Sequence, residues 1–181
     1  AVEYFRKLGG NVGVAGMVIN KDDGTGDVFK EDGTLNPNAI KDDDRSISVN
    51  DVTVNEASSH AVFEVTGFAG QLTSLELLVG TAPLATAGGV DFSAASGSGL
   101  QYRSGSNWVA YTTGSFVALD GTGKLLVRTS ITNDAISDNN ESFRLRVAAT
   151  GGGSDTGTAV IKDDGTGTIF GPDGGVDEQA I

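Results

Sequence analysis

The sequence predicts an all-β protein, an antiparallel two-sheet sandwich with Greek-key links, on three observations. Short runs of alternating apolar and polar residues follow one another along most of the chain, as half-buried strands require. Glycine is abundant, 27 of 181 residues, and with Ser, Asn and Asp it interrupts those runs every 8–15 residues or so. Between the glycines Val, Thr and Ser predominate, and no run in the central unit holds a helical period.

The amino-terminal stretch AVEYFRKLGG admits two readings. Val2, Phe5 and Leu8 share one helical face that Gly9–Gly10 would end. Alternatively it is a strand, since Glu3-Tyr4-Phe5-Arg6 echoes Glu141-Ser142-Phe143-Arg144 and both precede a Gly-rich stretch, an apolar run and KDDGTG. The central strands are clearer. Ile47 and Val49, then Val52 and Val54, form a first strand broken near Asn50–Asp51; Ala61, Phe63 and Val65 form the next, then Leu75, Leu77 and Val79. Residues 100–119 read as three short strands around Leu100 and Tyr102, Trp108 and Ala110, and Phe116 and Ala118. Three longer ones follow: Leu125 to Ile131; Phe143 to Val147, with Arg144 and Arg146 facing outward; and Ala159 with Ile161.

An internal repeat sets the domain boundaries. Residues 21–40 return at 162–181 with eleven of twenty positions identical and a constant offset of 141. One complete unit lies between the copies, so the chain divides into a tail of a preceding module or an extra hairpin (1–29), an acidic linker (30–46), the sandwich (47–170) and a linker to a following module (171–181).

Charge and composition exclude several function classes. Twenty-four acidic against twelve basic residues give a net charge of −12, a self-repulsion that calls for cations. The basic residues are scattered, which excludes a nucleic-acid partner. The absence of cysteine excludes disulfides and thiolate zinc sites. No stretch approaches the ~18 apolar residues of a membrane span, so no membrane insertion is expected.

Strand parity then gathers the acids. In an antiparallel sandwich the loops after alternate strands share one pole, and Glu56, Asp91, the group Asp134, Asp138 and Glu141, and the pair Asp163–Asp164 all fall in such loops. Asp and Asn are also ordinary turn residues, so placement alone leaves solvated turns as an alternative. Seven carboxylates at one pole match the oxygen-rich coordination of Ca²⁺ better than that of Mg²⁺ or a transition metal, for which His60 is the only histidine. Asp22, Asp23, Asp42, Asp43 and Asp44 repeat this chemistry at the upstream junction, where ions would stiffen the linker.

The order V-x-E (54–56), GxDF (89–92), NDxxSDNNESFxL (133–145) and IKDDG (161–165) resembles the Calx-β module, a sandwich whose acidic pole binds Ca²⁺ in that family. In SVNDVTVNE, LQYRSGSNWVAY, LLVRTSITND and KDDGTG the chain more closely resembles Calx-β-like modules of giant bacterial RTX adhesins. The resemblance covers about residues 47–165 and implies Ca²⁺ ligands at Glu56, Asp91, Asp134, Asp138, Glu141, Asp163 and Asp164. Gly165 stands where the pattern often has a third Asp, and Asn139 and Asn140 replace commoner acids, which implies fewer or weaker sites. It further implies a non-catalytic, monomeric module of a secreted protein at a bacterial cell surface. Its expected partners are neighbouring adhesin modules and a protein, peptide or glycan on another cell.

Two functions fit that resemblance. A ligand-binding module, peptide-binding above all, would use Tyr102, Arg103, Trp108 and Tyr111, since these residue types anchor interfaces. The unit is longer than a minimal Calx-β module, mainly within 80–123, which favours this reading. The alternative is a passive extender. A carboxylate-based glycoside hydrolase is the remaining alternative, but it needs one protonated acid in a cleft beside a sugar platform. The glycine-rich segments 97–105 and 165–171 open no helix and carry no GK[ST], GGGSDTG (151–157) occurs once, and no GxSxG surrounds any serine, so phosphate-loop, β-roll and triad chemistry are set aside.

Overall fold

A computed structural model describes residues 2–4, 17–79, 85, 91–92, 99–138 and 140–180. β1 (Val2–Tyr4) and β2 (Met17–Ile19) pair antiparallel as a separate ribbon. Val2 is therefore in a strand, while Phe5, Leu8 and Gly9–Gly10, which carried the helical reading, lie outside the described residues. The other ten strands form two five-stranded sheets. The first runs β3 (Ser48–Val49), β5 (His60–Thr66), β10 (Lys124–Ser130), β7 (Leu100–Ser104), β8 (Asn107–Ala110) across its width. The second runs β4 (Val52–Asn55), β12 (Ser154–Lys162), β11 (Glu141–Ala149), β6 (Leu72–Val79), β9 (Val117–Ala118). The chain is thus an all-β two-sheet sandwich, with the alternation of the sequence visible as burial. In β11, Phe143, Leu145 and Val147 are fully buried, while Arg146 faces solvent.

One pairing departs from the antiparallel expectation, and the break at Asn50–Asp51 explains it. β3 belongs to the first sheet and β4 to the second, so the strand changes sheets there without reversing direction. β4 therefore runs parallel to β12, pairing Val52 to Asn55 with Ala159 to Lys162. Side chains cover the polar groups that the crossing frees. The Asn50 Oδ1 accepts from the Glu64 N–H at 2.7 Å, the Asp51 Oδ1 from Thr158 N–H at 2.7 Å, and the Asp155 Oδ2 from Val49 N–H at 2.8 Å. The crossing backbone lies so close to Gly157 that a Cβ there would stand 2.2 Å from the Asn50 carbonyl oxygen and 2.7 Å from Val49. This accounts for a glycine in the middle of a long strand.

Between the sheets the largest buried side chains are phenylalanines. Phe92 stacks on Phe143 at 4.4 Å between centroids, and Phe63 meets Phe143 edge-on at 6.0 Å. Phe92 also forms a bridge with Ile131, which ties the residue beside Asp91 into the core.

The repeated segment takes one shape twice. Phe29 bridges Leu35 as Phe170 bridges Val176. The Lys30 N–H donates to the Thr34 carbonyl at 2.8 Å, as Gly171 N–H does to Gly175, and Asn36 N–H reaches Val28 O at 2.7 Å, as Asp177 N–H reaches Ile169 O at 2.8 Å. The 141-residue offset is therefore a repeat of structure as well as of letters.

Gly157→Ala is expected to cost about 1–3 kcal/mol by overpacking the crossing, a fall of several degrees in Tm measured by calorimetry or circular dichroism. An unchanged Tm would mean that the close approach is not as described.

Candidate functional site

The acidic loops follow β4, β6, β10 and β12 and meet at one pole, as parity predicts. Each carboxylate is delivered by a strand end that the core holds. Glu56 follows β4 and is only 8% exposed. Asp91 is held by the burial of Phe92 and by its own carbonyl, which accepts from Thr132 N–H at 3.0 Å. Asn140, at the left-handed φ of 73°, turns the chain from Asp138 into Glu141 and donates its N–H to Ile161 O at 3.0 Å. That conformation is one Asn tolerates better than most residues.

Two groups of acids result. Asp91, Asp138 and Glu141 bring carboxylate oxygens within 4.8 Å of one another. Beside them Glu56 accepts from Asp134 N–H at 3.1 Å and faces Asp163. Asp134 interacts with both groups and joins them. Burial, then the hydrogen bond and charge of Asp91 and the charges of Asp138 and Asp134, push the Glu141 carboxyl up to about 7. Burial likewise raises Glu56, opposed by the Asp134 N–H and reinforced by Asp163 and Asp134. Both shifts favour the neutral carboxyl, the direction that crowding of like charges imposes.

Asp164 stands apart from this gathering. Its Oδ1 caps the following turn, accepting from Thr166 N–H at 3.0 Å and from the Thr166 hydroxyl. A shallow cavity of about 180 Å³ opens among Asn55, Glu56, Asn133, Lys162 and Asp163, of which Asn133 was not read as a site residue from the sequence. Its signal was its place directly before Asp134. Lys162 donates its ammonium to the Asn140 side-chain oxygen, so the nearby cation is engaged with an amide.

The upstream acids sit at the opposite pole, and there the chain supplies its own cation. Asp43, 3% exposed, takes a bidentate pair from Arg45, with Nη2 2.7 Å from Oδ2 and Nε 2.8 Å from Oδ1. That pairing holds the Asp43 carboxyl below the usual carboxylate range. Arg45 also donates to the Asp23 carbonyl at 3.0 Å and lies 4.6 Å above the Phe68 ring. Asp23 is lowered by its hydrogen bonds from Thr25, while Asp22, Asp42 and Asp44 face solvent. Expected ion bridges at this junction thus meet, at Asp43, a guanidinium already in place.

The expected ligand patch is not assembled as an open surface. Tyr111 is a core residue: its hydroxyl donates to Ser115 O at 2.8 Å and accepts from Leu75 N–H at 3.0 Å, where the edge of β6 runs past its short partner β9. Tyr102 packs against the core. Trp108 and Arg103 lie under the terminal turn. The Trp108 Nε1–H donates to Pro172 O at 2.8 Å, Arg103 donates to Asp173 O, and Arg128 stacks on the indole at 4.1 Å. The aromatic and cationic character read from the sequence is present, and the chain's own turn uses it.

No protein-family model matches the chain. A stretch of 27 residues, 15% of the chain, is 93% identical to part of the chlorophyllide reductase 35.5 kDa chain of Cereibacter sphaeroides and, equally, of Rhodobacter capsulatus. The chain spans only 8% of the length of those proteins. Among solved structures it is similar to the E. coli chaperone DraB (TM-score 0.40, 14% identity, 66% of this chain and 56% of that one). It is also similar to the periplasmic chaperone SfaE (0.41, 11%, 70% and 60%) and to a conjugative transposon lipoprotein from Bacteroides eggerthii (0.37, 10%, 65% and 96%). Likenesses this distant carry no functional argument, and the sandwich rests on the strand pairing itself.

Two outcomes are expected. Because the folded state raises Glu141, its contribution to stability is full below its ordinary value of 4.5 and is lost as pH rises through about 7. His60, lowered by burial and then by Arg128, contributes in the opposite sense, its stabilisation being lost as pH falls through 6.5 and below. The comparison of Tm against pH in chelator for the natural chain and Glu141→Gln isolates the Glu141 part, and the variant should lose less stability between pH 4.5 and 8. Arg45→Met takes the guanidinium from the buried Asp43 carboxylate and leaves it only the residue 45 N–H and the Gln71 amide, a cost of about 1–3 kcal/mol. Limited proteolysis should then cut faster within residues 25–44.

Proposed function

We propose that the chain is a calcium-braced, non-catalytic sandwich module of a secreted bacterial adhesin of the Calx-β-like RTX kind, acting as a link that sets reach at the cell surface. The observation that supports this reading is the acidic pole, where six carboxylates (Glu56, Asp91, Asp134, Asp138, Glu141 and Asp163) converge from four loops and two are raised by burial and mutual repulsion. Ca²⁺ takes six to eight oxygens with flexible geometry, and it would relieve that repulsion. Each ion held a hundredfold above its Kd would add about 2.7 kcal/mol. Ions bound there would tie the four loops to one another. Support for the linking role comes from the repeat, whose two copies fold alike, one beyond the Arg45 end of the sandwich and one against its Trp108 face.

A ligand-binding module is the second reading, and one observation favours it. A cavity of about 500 Å³ opens beside Leu75, Leu77, Leu100 and Tyr111, with Ser74, Glu76 and Thr113 at its polar margin. Its walls suit an apolar side chain of an extended peptide.

Thermal melts in millimolar Ca²⁺, in millimolar Mg²⁺ and in excess chelator test the proposal. A rise of several degrees with Ca²⁺ alone is expected, and it should shrink by more than half in Glu141→Gln combined with Asp91→Asn. Three coincident curves would sink the calcium reading.

A further inference from the structure

The turn that closes the sandwich is present twice, but its docking surface is occupied once. In the carboxyl-terminal copy Phe170 packs against the core, Phe170 N–H donates to the Ser58 hydroxyl at 3.1 Å, and residue 174 rests on the Trp108 ring. A Cβ on Gly174, whose φ is +87°, would stand 2.7 Å from that ring. In the amino-terminal copy the same turn meets nothing comparable among the described residues. Phe29 is 62% exposed whereas Phe170 is half-buried, and no described atom lies within 4 Å of the place a Gly33 Cβ would take; Leu35, 47% exposed, and Val176, 61%, are open in both copies. Its base is fixed to the pole opposite the acids by Gly24 N–H to Asp42 O at 2.9 Å and by the Asp23–Asp43 bridge. The exposed turn is therefore presented outward from one end.

We propose that residues 27–40 form a latch that docks on the Trp108 face of a second copy of this domain, head to tail. The complementarity is already displayed within the chain. Two of the bonds that hold the terminal turn run from Trp108 and Arg103 to backbone carbonyls of residues 172 and 173, which Glu31 and Asp32 supply equally well. Phe29 and Leu35 match Phe170 and Val176 as the bridged apolar pair. Asp27, Glu31 and Asp32 bring acidic charge to a face carrying Arg103 and Arg128, the guanidinium of Arg128 lying 4.1 Å above the Trp108 ring. Each domain's own face is filled by its own turn, so the natural chain remains monomeric and the latch engages only where a terminal turn has lifted. The inference rests on the repeat and requires no metal.

Gly174→Val is the test, because the added side chain collides with the Trp108 ring, crowds Leu126 and burdens a left-handed φ, while none of the buried side chains between the sheets is altered. The full-length variant should assemble head to tail, with at least a doubled mass in light scattering that rises with concentration. Adding Phe29→Ser and Leu35→Ser should return it to a monomer and leave Trp108, the only tryptophan, open to acrylamide quenching. Gly174→Ala provides the same readouts if Val prevents folding. A folded variant that stays monomeric with Trp108 exposed would overturn the latch, as would assembly that survives loss of Phe29 and Leu35. Running each sample in Ca²⁺ and in chelator separates this outcome from a failure of the calcium reading.

Discussion

Repulsion among carboxylates that the fold itself gathers is the constraint on which the rest of this structure depends. Strands that run toward one pole end in acids, and the core fixes those ends: Phe92 by stacking on Phe143, Glu141 by its place at the start of a nine-residue strand, Glu56 by closing a strand paired to β12. The acids cannot relax apart without unpacking the sheets that carry them. What remains is to accept protons or a cation, and the upward shifts of Glu141 and Glu56 lie in the direction of the first. At the other pole the chain solves the same difficulty differently. There a single buried acid, Asp43, receives a guanidinium from two residues away. One end is complete in itself, whereas the other is left short of positive charge.

Much of this was legible in the sequence, for physical reasons that the successes and failures share. Period-two burial made the strands readable, because a sandwich strand has one face in each environment, as in β10, where Leu125, Val127 and Thr129 are buried between more exposed neighbours. Convergence of the acidic loops followed from parity alone, since direction alternates whatever the detailed pairing. The break at Asn50–Asp51 was visible as two polar residues between apolar pairs. Its meaning, a change of sheet that places β4 parallel to β12, was not, because no local signal says which neighbour a strand will meet.

The aromatic patch shows how far composition alone can reach. Tyr102, Arg103, Trp108 and Tyr111 carry the chemistry of an interface, and two of them do serve one, with the chain's own residues 172 and 173. Composition identifies sticky side chains but not which surface reaches them first. Asp43 was likewise read with its acidic neighbours because they are contiguous in sequence, while its burial and its partner come from Gln71 and Arg45 packing around it. Asp164 was grouped with Asp163 for the same reason, although adjacent residues on an extended chain point in different directions, and its carboxylate turns to Thr166.

The change of sheets also sets the direction in which the domain meets load. The chain enters the sandwich at the Arg45 end through β3 and β4, and once the terminal turn has lifted from β4 and Trp108 it leaves at the acidic end through β12. β4 and β12 lie side by side and parallel over four residue pairs. Tension between those two points slides the strands lengthwise past each other, so their bonds resist together in shear instead of opening one after another as a peeled hairpin would. A domain pulled from its two ends is in this way gripped along the parallel seam between β4 and β12.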